Sequence, residues 1–239
     1  CLVLGRRMAF FADALAHGTL LGVGLSLWWQ FPPSIGMIGV SALVVLILTW
    51  LDDERLPEDA TLAVVAVSLL SLGLVLLTQL THQQANVLGY LFGNLLETDW
   101  QDLPLLAVGI AVGVGLLMVI WQAQIKLATH QALAQLQGIQ PRRQRLFFMG
   151  VLAGFCALAL PAVGSLLISG LLVLPALTAR LWSSSPKGML IGACVLAQVA
   201  VTLGVWGSVW LNLQTGLSIV LVLALGFFVS FVVAKIYQS

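Results

Sequence analysis

RRMAFFADALAHGTLLGVGLSLWW, residues 6–29, decides the fold. Two arginines open it, two tryptophans close it, and the apolar run between them has the length of a bilayer-crossing helix. Only two ionisable residues interrupt that run, Asp13 and His17. Their four-residue spacing puts both side chains on one helix face, about one turn apart. At a rise of ~1.5 Å per residue, His17 is expected roughly 15 Å beyond Arg7, near the middle of a ~30 Å hydrocarbon core, with Asp13 about 6 Å nearer the arginine end. Ionisable groups at that depth are tolerated where they face the bundle interior or a wet cavity, so the pair marks a candidate transport path. A carboxylate oxygen with an imidazole nitrogen suits Zn2+ or Mn2+ better than Ca2+ or Mg2+, which take all-oxygen shells. The competing reading is a polar contact, in which the two residues bond each other or backbone carbonyls across a helix interface.

The rest of the chain reads the same way. Of its 239 residues, 60% are hydrophobic and 8% charged, with a mean hydropathy of +1.07, far from a soluble composition. An all-α, polytopic transmembrane bundle follows, with one transmembrane domain over residues 1–239. The chain opens at Cys1 inside an apolar run, so an N-terminal span is expected to precede it. Cys1, Cys156 and Cys194 lie in apolar surroundings without metal-binding spacing and read as small hydrophobes. No GxxxxGK[ST] occurs, so ATP chemistry would belong to another polypeptide, and no GxSxG or HExxH points to an enzyme. Neither a permanent cofactor nor nucleic acid is implied.

Further apolar runs cover Ile35 to Leu51, Thr61 to Leu80, Leu103 to Trp121, Leu146 to Leu160, Val163 to Leu181, Gly188 to Leu211 and Gly216 to Ile236. With the first stretch they give about eight crossings. Asn86 to Leu96 is too short in its apolar part to cross and reads as a re-entrant or surface helix. Pro161, Pro175 and nearby glycines are expected to break two of the runs, and broken helices at membrane depth line cavities. Residues 122–145 form the longest polar stretch, where Thr129 is expected to cap a short helix running to Gln137. Gly138 then ends it in the left-handed conformation and Pro141 restarts the chain. That stretch is either a simple cytosolic connector or a docking helix for a soluble partner.

Basic residues orient the map. If Arg6 and Arg7 are cytosolic, alternation places loops 52–60, 122–145 and 182–187 and the C-terminus on the same side. All ten Lys and Arg then fall on or beside that side, as the positive-inside rule demands. Glu97, Asp99 and Asp102 fall on the opposite side, read as ordinary solvated charges, with attraction of cations or a carrier protein as the alternative.

RRMAFFADALAHGTLLGVGLS at 6–26, YLFGNLL at 90–96, ALAQLQGI at 132–139, GSLLISGLLVLPALTAR at 164–180 and TGLSIVL at 215–221 resemble one known family. It is that of the inner-membrane permeases of ABC importers for zinc, manganese and related divalent metals, in its ZnuB-type branch. The resemblance implies that Asp13 and His17 contribute transiently to the path of Zn2+, or of Mn2+ or Fe2+. It implies that the helix around Ala134 and Gly138 docks on a cytosolic ATP-binding subunit. It also implies a permease homodimer in the bacterial inner membrane, fed by a periplasmic metal-binding protein. The chain departs from that family at Ala132, Ala63 and Val67, where an acidic residue, a glycine and, in some zinc-type members, a histidine stand. The runner-up is a secondary transporter or cation channel using Asp13 and His17 as a cation or proton relay without an ATPase. An intramembrane enzyme would need a second ionisable cluster, which the sequence lacks.

Overall fold

The computed structural model describes residues 1–6, 8–51, 57–80, 93, 103–129 and 131–238. Every described secondary-structure element is an α-helix. They are α1 (Leu2–Gly5), α2 (Phe11–Trp29), α3 (Pro33–Trp50), α4 (Glu58–Gln79), α5 (Leu103–Thr129), α6 (Gln131–Leu136), α7 (Pro141–Val163), α8 (Ser165–Trp182), α9 (Pro186–Leu211) and α10 (Thr215–Gln238). Seven of them are long and apolar enough to cross a membrane: α3, α4, α5, α7, α8, α9 and α10. The eighth expected crossing is α2, whose 19 residues have the length but carry Asp13 and His17. The re-entrant reading of residues 86–96 lies outside the described residues, except for Gly93. Gly93 has φ of 71° and abuts Val163 and Gly164 so closely that a Cβ would meet the Val163 carbonyl.

Local chemistry explains most boundaries. Pro33, Pro141 and Pro186 open their helices at the first turn, where a missing N–H costs nothing. The Ser185 hydroxyl caps α9 by accepting from the Gly188 N–H at 3.1 Å. Gln30 and Asn212 end α2 and α9 in the left-handed conformation.

Three boundaries depart from the sequence expectation. The helix does not run on from Arg6: α1 ends at Gly5, the Met8 N–H returns to the Val3 carbonyl, and α2 begins at Phe11. The polar stretch 122–145 is largely helical, because α5 continues to Thr129 and α7 starts at Pro141. Leaving the bilayer ends apolarity, not helicity, and Gln, Ala, Lys and Leu are all good helix formers. The prolines break nothing: α7 continues through position 161 and α8 through Pro175. Of the expected breakers it is a glycine that acts: the break falls at Gly164, with φ of 82° and ψ of 152°, a conformation that glycine adopts readily.

Packing sorts the helices into two groups. α2 is enclosed by α3, α4, α7 and α8, and 13 of its 19 residues are buried. Phe11, Leu15 and Val23 of α2 join Val44 of α3, Leu62 of α4 and Met149 and Leu160 of α7 in one core. Close backbone contact makes this possible. A Cβ on Gly22 would lie 2.5 Å from the Gly36 carbonyl oxygen of α3, and one on Gly73 of α4 would lie 2.9 Å from the Leu21 nitrogen. Only glycine lets the helices approach so closely. The second group packs α8, α9 and α10 around Leu167, Ala200, Ile219 and Leu223. α5 leans mainly on α7, and meets α1 and α6 besides; 6% of its spanning part is buried.

The basic ends converge as the charge pattern predicts. Arg6 bonds Gln124 near the end of α5, and Arg145 of α7 pairs with Glu58 of α4 at 2.9 Å. Trp28, Trp29, Trp206 and Trp210 stand exposed at the opposite end, where indole rings favour the membrane interface.

Candidate functional site

Asp13 and His17 both lie on α2, four residues apart on one face and partly exposed, whereas residues 14–16 and 18–24 are buried. Asp13 falls in the first turn, where the unpaired N–H groups of a helix start favour a carboxylate. The other polar side chains on the helix satisfy themselves locally. The Thr19 hydroxyl donates to the Ala16 carbonyl at 2.7 Å, and the Ser26 hydroxyl to the Val23 carbonyl at 2.8 Å. His17 does not: its Nδ1 is buried and has no hydrogen-bond partner among the described residues. The mutual Asp–His hydrogen bond through that nitrogen is therefore not made. An orphaned ring nitrogen in a membrane interior is a costly arrangement, which a ligand or another molecule's polar atom would relieve.

Among the described residues no group of three or more His, Cys, Asp and Glu comes together. The partly open Asp13–His17 face is where further donors would have to enter.

The second site is α6 and the turn after it. The Ile139 N–H returns to the Ala134 carbonyl at 3.1 Å and the Gly138 N–H to the Gln135 carbonyl at 2.9 Å. These paired bonds form a Schellman motif, with Gly138 left-handed at φ of 78° as its sequence position predicts. Ala134 is buried and seats the helix on the protein, so its methyl is not presented outward. Leu136 does face outward, 85% exposed on a six-residue helix. The expected cap Thr129 is the last residue of α5, and its side chain lies outside the described set.

Sequence reasoning missed two residues here. Leu136 was legible as a large apolar residue in an otherwise polar loop. Gln124 was not, because nothing marks a glutamine in a polar stretch as buried. It has no exposed surface, accepts a hydrogen bond from Arg6, and donates to the Gln144 backbone carbonyl at 3.0 Å.

Comparison with known proteins places this geometry in a family. The model described as the ABC 3 transport family matches residues 1–234. The high-affinity zinc uptake system membrane protein ZnuB of Haemophilus influenzae is 31% identical over 229 residues, covering 95% of this chain and 88% of that protein. The ZnuB of Buchnera aphidicola subsp. Acyrthosiphon pisum is 33% identical, covering 92% and 84%. The manganese import system permease protein ScaB of Streptococcus gordonii is 31% identical, covering 98% and 84%. Among solved structures, PsaBC from Streptococcus pneumoniae in complex with Fab superposes with a TM-score of 0.83 at 27% identity, over 97% of this chain and 83% of that one. The chain belongs to the ABC 3 transport family, as a multi-pass protein of the inner membrane.

Proposed function

We propose that this chain is the permease subunit of an ATP-driven importer that passes a divalent transition metal, zinc in the first place, from periplasm to cytosol. The observation that carries the reading is the buried, unpartnered Nδ1 of His17 on the face it shares with Asp13, in the most enclosed helix of the bundle. A nitrogen and a carboxylate one turn apart replace part of the hydration shell of a borderline cation as it crosses. Two donors from one chain hold such an ion transiently, which favours release over storage. A two-fold pair of permeases, each turning this face toward the axis, would double the donor set. Relatives named for zinc and for manganese match at similar identity, and the imidazole favours zinc, with manganese or iron as the alternative cargo.

The driving force comes from outside the chain. The sequence has no phosphate-binding loop, so a separate ATP-binding subunit must act through a contact surface, and α6 with its exposed Leu136 and the Gly138 turn is that surface. A periplasmic metal-binding protein delivers the ion to the tryptophan-bearing end. The test is metal-resolved uptake in proteoliposomes holding the permease with its ATP-binding subunit. ATP-dependent zinc accumulation that exceeds manganese and iron is the expected result. Metal flux without ATP, coupled to protons, would replace this reading with the secondary-transporter one.

A further inference from the structure

Gln124 ties together three parts of the chain that are far apart in sequence. Its side-chain carbonyl accepts from the Arg6 guanidinium, in the turn leading into α2. Its amide donates to the Gln144 backbone carbonyl at 3.0 Å and lies 3.4 Å from the Gln144 side-chain oxygen, near the start of α7. The residue is fully buried, and both ends of its amide are used. Gln124 and Gln144 flank α6 in the chain, one on the helix before it and one on the helix after it. Lys126 adds a further tie, donating to the Gln137 side chain at 2.9 Å just past α6. Beside this cluster Arg145 pairs with Glu58, the first residue of α4, and α4 is a main packing partner of α2.

The charges agree with the geometry. Burial pushes the Arg6 guanidinium below its ordinary range, Arg145 adds to that, and Glu58 opposes it. Arg6 still keeps its charge, since arginine remains protonated in proteins. A half-buried cation needs a fixed acceptor, and Gln124 provides one.

We infer that Gln124 is a positioning residue that transmits movement of the α6 docking segment to α2, through an Arg6–Gln124–Gln144 clamp centred on the buried Gln124 amide. A push on α6 displaces the adjoining ends of α5 and α7 together, because they meet at one amide. That amide holds Arg6, which lies seven residues before Asp13 in the chain. Movement at the docking surface therefore reaches the turn that sets the position of the metal-bearing face. Coupling through a packed hydrogen-bond network requires no nucleotide site in this chain.

The inference rests on the proposed ATP-driven docking at α6, and the experiment separates the two. Wild-type, Gln124→Leu and Gln124→Glu permeases are each reconstituted with the ATP-binding subunit. ATP hydrolysis and zinc uptake are measured on the same vesicles. Leucine removes both bonds, whereas glutamate keeps the acceptor for Arg6 and loses the donor to Gln144. Both variants are expected to retain ATPase association and hydrolysis within about two-fold, while zinc carried per ATP falls at least ten-fold. An Arg6→Ala, Gln124→Leu double variant is expected to be no worse than the weaker single, as members of one clamp are non-additive. A wild-type transport ratio in either Gln124 variant overturns the inference, and so does loss of both variants from the membrane, which leaves Gln124 a purely structural role. Absence of ATP-dependent uptake by the wild type would instead overturn the functional reading on which the inference rests.

Discussion

α2 and α5 are both long enough to span a bilayer, yet the protein treats them in opposite ways. α5 is apolar along its spanning part, and only 6% of that part is buried within this chain. α2 carries an aspartate and a histidine, and four helices enclose it. The contrast shows that apolarity and burial are separate quantities in a membrane protein. Lipid solvates Val108 or Val119 as well as a core does, so a purely apolar helix gains little from being enclosed. A helix with ionisable groups must be enclosed, because hydrocarbon cannot solvate them.

Substituting matched residues on the two helices tests this contrast. The largest effect is expected at glycines. Gly22→Val places its new side chain against the Gly36 carbonyl, which cannot move without parting α2 from α3, and folded protein in the membrane should be lost. Gly115→Val on α5 meets nothing within 4 Å and should express and extract like the parent. Similar yields of the two variants would mean that α2 is not the enclosed helix. Next come the apolar side chains. Leu15→Ala, at 0% exposure, should cost about 2–5 kcal/mol, while Val119→Ala, at 81% exposure, should change stability by less than about 0.5 kcal/mol, read from thermal unfolding in detergent. The third effect is local and falls outside the bundle. Gly138→Val strains a left-handed position by about 1–2 kcal/mol, confined to the turn after α6. The variant should reach the membrane at normal levels and bind the ATP-binding subunit at least ten-fold more weakly in pull-down; unchanged binding would remove α6 from the docking role.

Much of this was legible in the chain itself, for identifiable physical reasons. The helical class follows from apolar runs that must satisfy their own backbone, and orientation follows from Arg6, Lys126, Arg142 and Lys187 gathering at one end. Gly138 was readable as a helix stop because a left-handed residue after a short polar helix is so often glycine. The remainder depends on neighbours. Nothing in the sequence says that α2 lies inside and α5 outside, since that follows from how glycines such as Gly22, Gly36 and Gly73 mesh. The helical extension of α5 to Thr129 was hidden because polarity marks the edge of the membrane rather than the end of a helix. Gln124 became visible only when that extension brought it to Arg6 and Gln144. Asp13 and His17 were visible from the outset, but the missing bond at His17 Nδ1 is a property of the packed helix.

The central claim, that the Asp13–His17 face carries metal rather than holding the bundle together, is tested most directly by zinc uptake in the Asp13→Leu, His17→Leu double variant. Apolar replacement of both members is close to neutral for a pair that only satisfies itself, because neither partner is left stranded. The double variant is expected to fold, keep its ATP-binding subunit and lose zinc uptake at least a hundred-fold, as Asp13→Ala and His17→Ala each should. Wild-type uptake by the folded double variant would contradict it.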